Sequence, residues 1–293
     1  MKKIFSIIAA SAAIFASCEK PSSETPAPTP QEPEELPISI TRAATGSSDF
    51  VNGDKIGLYV VNYTSNGAGS LAASGNHVDN MCFTYQGTWL PAKPIYWADA
   101  NTRADFYCYS PYTASVSSVS DYLFAVGTNQ STADAYKSSD FLWGKVSGAQ
   151  PSAEPVGITL DHKMSRLSVT VVAGNGYSAD DLNVAAVTIG SVKTEAKINL
   201  ATGAVTAQGD AREVIPNYSE GEYSAYLVPQ ALNDADLVKI VVGGRTYMLK
   251  QSITLEGGKL HKCTVTVTKT DQGINISVSD WIVDSVDYGG VLE

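Results

Sequence analysis

The sequence predicts an all-β fold, and three observations carry that expectation. Apolar residues recur with a period of two through most of the chain beyond residue 50, which puts alternate side chains on opposite faces of a sheet. Few stretches hold apolar residues at three- and four-residue spacing without Gly, Pro, Ser or Thr intervening within two turns, so helices are expected only as short caps on loops. Glycine pairs and Asn-Gly or Asn-Asp steps punctuate the apolar runs, as turns between strands require. With 293 residues, 44% of them hydrophobic, the chain can bury a sizeable core, and its length fits two domains better than one.

Taken in order, the chain opens with an export signal. Lys2 and Lys3 supply a charged start, Ile4 to Phe15 is apolar and small, and Phe15-Ala16-Ser17-Cys18 closes the segment. The apolar stretch is shorter than the ~20 residues of a membrane-spanning helix, so residues 1–17 read as a lipoprotein signal peptide. Cleavage before Cys18 would leave its thiol and amine for acylation, for example with palmitate, and make Cys18 the lipid anchor. Residues 18–40 are then a lipidated tether, because Glu19 to Pro37 is mostly Pro, Ser, Thr and Glu with little to bury and stays extended. Ile38-Ser39-Ile40 reads either as a short strand or as loop before Thr41-Arg42-Ala43-Ala44.

The folded part is expected as two domains, 41–150 and 151–293. Ile56, Leu58 and Val60 alternate, as do Leu167, Val169 and Val171, then Tyr223, Ala225 and Leu227, then Val265 and Val267, and Ile274, Ile276 and Val278. Lys239 to Val242 and Arg245 to Leu249 flank Gly243-Gly244, the signature of a hairpin whose two-residue turn needs positive φ. Residues 62–80 and 113–121 are rich in Ser, Gly, Asn and Ala and read as surface loops. The pattern breaks over 147–154, before a strand Val156 to Leu160, and the domain boundary is placed there.

Composition narrows the function. A net charge of -10 and a pI near 4.8, without a Lys/Arg cluster, argue against nucleic acid as a partner. Membrane attachment would come from acyl chains alone. After Cys18, Cys82, Cys108 and Cys263 remain, an odd number that leaves no complete disulfide framework. A Cys82–Cys108 bridge and buried free thiols are both open. His77, His162 and His261 stand in unrelated contexts without a nucleophile motif, so no catalytic residue is assigned. Neither clustered His and Cys nor a full Asp/Asn loop occurs, and no metal or cofactor is expected. Asp54 in Asn52-Gly53-Asp54 and Asp234 after Asn233 look like turn residues. Trp89, Trp97, Trp143 and Trp281 fit core packing better than a sugar platform.

Beyond their physics, several segments in order resemble the fimbrillin family of Bacteroides-type bacteria. They are Phe50 to Asp54 with Ile56 to Tyr59, Ile95-Tyr96-Trp97, Asp105 to Tyr112, Asn129-Gln130-Ser131, Ser139 to Leu142, Ile158 to Leu167, Leu227 to Gln230 and Ser279-Asp280-Trp281. The resemblance implies two tandem transthyretin-like β-sandwich domains, and a fimbrial subunit that reaches the outer membrane as a lipoprotein and polymerises with other subunits by strand exchange. It also implies a trypsin-like surface protease cutting after an arginine near the start of the folded region. Arg42 is the first arginine, so Arg42 and Ala43 would flank the cut. The donor strand is expected from Ile274 to Leu292, with Ile274, Ile276, Val278, Trp281 and Val283 as its apolar positions. The other classes considered are a glycan-binding surface lipoprotein of a nutrient-uptake system and a hydrolase using a carboxylate pair.

Overall fold

The computed structural model describes the backbone of residues 38–42, 50–270, 273–278 and 282–283, and side chains over 50–269. The chain is all-β. In its first half run β1 (Ile38–Arg42), β2 (Lys55–Asn62), β3 (Val78–Tyr85), β4 (Trp89–Pro91), β5 (Ala104–Ser110), β6 (Tyr122–Ala125), β7 (Leu142–Ala149) and β8 (Val156–His162), with helix α1 (Ala133–Ser138) between β6 and β7. After them come β9 (Ser165–Ala173), β10 (Ala186–Asn199), β11 (Ala204–Val214), β12 (Asn217–Ser219), β13 (Glu222–Leu227) and β14 (Gln230–Val242). The last are β15 (Arg245–Leu255), β16 (Leu260–Thr270), β17 (Gly273–Val278) and β18 (Ile282–Val283), while helix α2 (Ala179–Leu182) follows β9. Both helices cap loops: Thr132 accepts from Ala135 N–H at the start of α1, and Ser178 with Asp181 forms a capping box on α2.

Seven strands form one sheet in the order β1-β8-β7-β5-β2-β3-β4. The expected alternation of Ile56, Leu58 and Val60 holds, and these side chains pack with Phe83, Trp97, Phe106, Cys108, Ile158 and Leu160 in one core. Tyr59 and Val61, on the opposite face of β2, are buried as well, in a different core with Tyr107, Tyr109 and Phe141. A central strand covered on both faces has no polar phase left. The sheet twists enough that its edge strands β1 and β4 come within 8 Å of one another, wrapping the first core.

The second half holds two sheets face to face. One runs β11-β10-β14-β15 and the other β12-β13-β9-β16-β17, and Leu167, Val169, Ile189, Val238, Ile240, Leu249 and Val265 meet between them. The Gly243-Gly244 turn joins β14 to β15 with φ of 56° and 73°, and Val242 faces Arg245 across it, as the sequence predicts.

The halves are stitched together. Strand β6 from the first half hydrogen-bonds to β10 of the second, with Phe124 opposite Ala196. The core around Tyr59 draws Ala196, Ile198, Tyr226 and Val228 from the second half. Strand β8 lies beyond the 147–154 segment yet belongs to the seven-stranded sheet, so the chain passes between sheets at Lys163–Met164. All described residues fall in a single compact unit, 33–293.

Candidate functional site

The first sheet ends on a strand taken from the start of the chain. Strand β1 pairs in parallel with β8, placing Ile38 beside Val156, Ile40 beside Ile158 and Arg42 beside Leu160. Along β8 burial alternates strictly: Val156, Ile158, Leu160 and His162 are buried, and Gly157, Thr159 and Asp161 are exposed. On its other side β8 pairs with β7 at Asp161 and His162. Next to that ladder the two strands cross so closely that a Cβ on Gly144 would lie 2.0 Å from the Thr159 carbonyl oxygen. The sequence left Ile38-Ser39-Ile40 between strand and loop; the strand forms and continues through Arg42, which the sequence placed after it.

The C-terminal end of β8 is tied into the body. His162 Nδ1 lies 2.8 Å from Asp140 Oδ1, and both side chains are buried. The His162 ring lies nearly parallel to that of Tyr226, 7° between planes and 6.4 Å between centroids. Tyr226 is in turn held by the buried Gln130 side chain, whose Oε1 accepts from Tyr226 N–H at 2.9 Å and whose Nε2 donates to Tyr226 C=O at 2.8 Å. One amide thus satisfies both main-chain groups of a residue, as a neighbouring strand would. Lys163 N–H donates to Phe141 C=O at 2.8 Å, just past the histidine.

The second terminal edge is built differently. Strand β16 pairs in parallel with β9 on one side, and on the other the chain folds back antiparallel on it. Ile274, Ile276 and Val278 of β17 face Lys269, Val267 and Val265, and Val283 of β18 faces His261. Of the remaining residues singled out for export, processing or donation, Cys18, Ala43 and Trp281 lie outside the described residues.

The side chains weighed for catalysis are dispersed. His77 Nε2 meets Tyr96 C=O at 2.6 Å, His162 meets Asp140, and His261 Nε2 accepts from Glu256 N–H at 3.2 Å. Burial holds the His261 imidazole below its usual value, Glu256 opposing in part. Burial pushes the Cys108 thiol far up and that of Cys263 up to about 11, so both stay protonated and weakly nucleophilic. Cys82 and Cys108 are held on opposite sides of β2, paired with Gly57 and Leu58 respectively, and both are free thiols. Asp54 accepts from Val51 N–H at 2.9 Å and pairs with Lys137 at 2.7 Å, a turn carboxylate as expected. Trp89 and Trp97 are buried in the first core, and Trp143 donates to Leu200 C=O at 2.7 Å while packing on the shared core. Among the described residues no group of three or more metal-ligating side chains converges.

A family model described as fimbrillin-like matches residues 41–281. A Bacteroides ovatus protein assigned as a fimbrium tip subunit is 27% identical over 133 residues, which take in 41% of this chain and 23% of that one. The chain therefore spans about a quarter of the length of this curated relative. Among solved structures, a protein of Bacteroides uniformis assigned to cell adhesion superimposes with a TM-score of 0.66 at 22% identity, over 84% of this chain and 96% of its own. A Bacteroides ovatus protein of the same assignment gives 0.67 at 19%, over 87% and 98%. These two share the fold.

Proposed function

The chain belongs to the fimbrillin-like family, and from that premise we propose that it is a structural subunit, stalk or tip, of a cell-surface fimbrium that contributes to adhesion. Cys18 carries the acyl chains that hold the exported protein at the outer membrane. A trypsin-like surface protease cuts between Arg42 and Ala43, β1 departs, and the bared β8 edge takes a strand from another subunit. The role is structural rather than catalytic.

The observation that carries this reading is the β1–β8 pair: an edge strand of five residues whose last residue is the first arginine of the chain. While the backbone is continuous, β1 is held near β8 by its own chain. Once severed it binds as a separate peptide and must overcome the loss of rigid-body freedom, about 4–15 kcal/mol, with one short ladder. The vacated edge would expose unpaired backbone groups beside Val156, Ile158 and Leu160, which a strand of matching alternation can cover. Ile274-Asn275-Ile276-Ser277-Val278 repeats the alternation of Ile38-Ser39-Ile40-Thr41, and supports the C-terminal segment as donor.

The test is N-terminal sequencing of the assembled protein together with sedimentation of the trypsin-trimmed chain. A start at Ala43, and oligomers that deletion of residues 284–293 abolishes while the monomer stays folded, are expected. A start at Cys18 in the polymer, or a trimmed chain that stays monomeric at every concentration and accepts no strand peptide, would refute the mechanism.

A further inference from the structure

We propose that the Asp140–His162 pair is a clamp that keeps β8 in register while its β1 slot is empty, and so makes the edge competent to receive a strand from a second copy. The inference rests on the strand-exchange reading above and assigns positioning residues to it.

Strand β8 has two ladders, with β1 along Val156–Leu160 and with β7 at Asp161 and His162. When β1 leaves, the ladder that remains is the two-residue one at the C-terminal end. Val156, Ile158 and Leu160 still face the core, but apolar burial has no direction and does not by itself prevent a slip. A slip of one residue would turn Gly157 and Thr159 inward and present the wrong face to an incoming strand. What fixes register must be a directional contact on β8 that survives the loss of β1.

His162 provides it. Its Nδ1 is 2.8 Å from Asp140 Oδ1 in a buried setting, where a hydrogen bond to a carboxylate is strong and its loss is felt. The ring lies parallel to Tyr226, and Tyr226 is pinned through its main chain by Gln130. On the chain's next residue, Lys163 N–H bonds Phe141 C=O. Asp140 and Phe141 are neighbours, so two adjacent residues hold two adjacent residues, and neither named bond is made to β1. In the intact chain the β1 ladder shares this work; in the trimmed chain it falls to the contacts that remain, the clamp and the two-residue β7 ladder among them. Losing the clamp should therefore harm the trimmed protein more than the intact one.

The experiment compares full-length wild type, His162→Phe and Asp140→Asn, each before and after limited trypsin cleavage. Two readouts are taken: binding of a labelled peptide with the sequence of residues 274–292, and amide exchange of residues 156–160. The uncut variants are expected to unfold cooperatively with near-native circular dichroism. After cleavage, wild type should capture the peptide, and His162→Phe should bind it at least tenfold more weakly with faster exchange in β8. Wild-type affinity and exchange in trimmed His162→Phe would overturn the clamp. If His162→Phe does not fold before cleavage, Asp140→Asn, which keeps the shape of the carboxylate, decides by the same comparison. If trimmed wild type loses β1 and still captures no peptide, the strand-exchange reading falls and the clamp with it.

Discussion

The two ends of the folded chain lie on sheet edges of opposite character. Strand β1 joins β8 in parallel, from residues far along the chain. Strands β17 and β18 fold back antiparallel on β16, which immediately precedes them, with Thr270 facing Gly273. Closing a short loop costs little entropy, whereas a long-range partner is kept by the rest of the fold. The antiparallel edge can reform wherever its own chain is continuous. Under the proposed mechanism, the parallel edge persists only while residues 42 and 43 remain joined. The proposed cut would thus release one edge and leave the other untouched, an asymmetry that suits the strand-exchange mechanism proposed above.

The largest test of this asymmetry uses the glycine beside each edge. At Gly144 an added Cβ would meet the Thr159 carbonyl oxygen at 2.0 Å and Leu160 at 3.1 Å, so the main chain of β8 is in the way. At Gly174 the nearest atom, 2.2 Å away, is the Thr268 hydroxyl, a side-chain group that can rotate, with the Val267 carbonyl at 2.9 Å. Overpacking costs about 1–3 kcal/mol. Gly144→Ala is expected near the top of that range and Gly174→Ala near the bottom, read from urea midpoints. Equal losses would mean that the β7–β8 crossing yields as easily as the β16 edge.

A smaller effect separates what anchors each edge. Gln130→Leu leaves the Tyr226 N–H and C=O without their side-chain partner in a buried site, at about 2 kcal/mol. Gln230 also bridges main chain, accepting from Lys193 N–H and donating to Lys193 and Val228 C=O, but it is half-exposed. Water can replace it, and Gln230→Leu should cost about 0.5–1 kcal/mol. The order of the two losses in chemical denaturation checks the claim that the buried amide secures the end of β8.

How much of this was legible depends on whether a feature is local. The alternation of Val156 to Leu160, Leu167 to Val171 and Tyr223 to Leu227 reads directly from the sequence, because one face of each strand meets a core. The Gly243-Gly244 hairpin is legible because two residues set its backbone. Asp54 reads correctly as a turn carboxylate, although its ion pair with Lys137 does not show in sequence. The pairing of β1 with β8, the capture of β6 by β10 and the meeting of Asp140 with His162 are set by strand order, which leaves no periodic trace. Burial of both faces of β2 was hidden for a related reason: Tyr59 is as suited to an outer face as to a core. The segments that resemble the family already contained Gln130, Asp140 and His162, but as isolated letters rather than one contact network.

The smallest expected effect concerns the histidine at each edge. His162 on β8 has a carboxylate partner, whereas His261 on β16 accepts from a backbone N–H and is held below its usual value of 6.5 chiefly by burial. Because the folded chain resists protonating His261, the unfolded chain takes up that proton first as pH falls. This contribution to stability is complete above 6.5, declines as pH drops through 6.5, and levels off below the folded value. Its slope cannot exceed about 1.4 kcal/mol per pH unit, the limit for one proton. Asp99, Asp121 and Asp181, held below 3.8 by hydrogen bonds from Thr102, Ser120 and the backbone and side chain of Ser178, lose their contributions at lower pH and do not enter this window. Comparing wild type with His261→Gln from pH 7 to pH 5 isolates the term, since Glu256 and the rest of the edge are common to both. The wild-type midpoint should fall faster, and parallel curves would show that burial on β16 does not set the ionisation of this histidine.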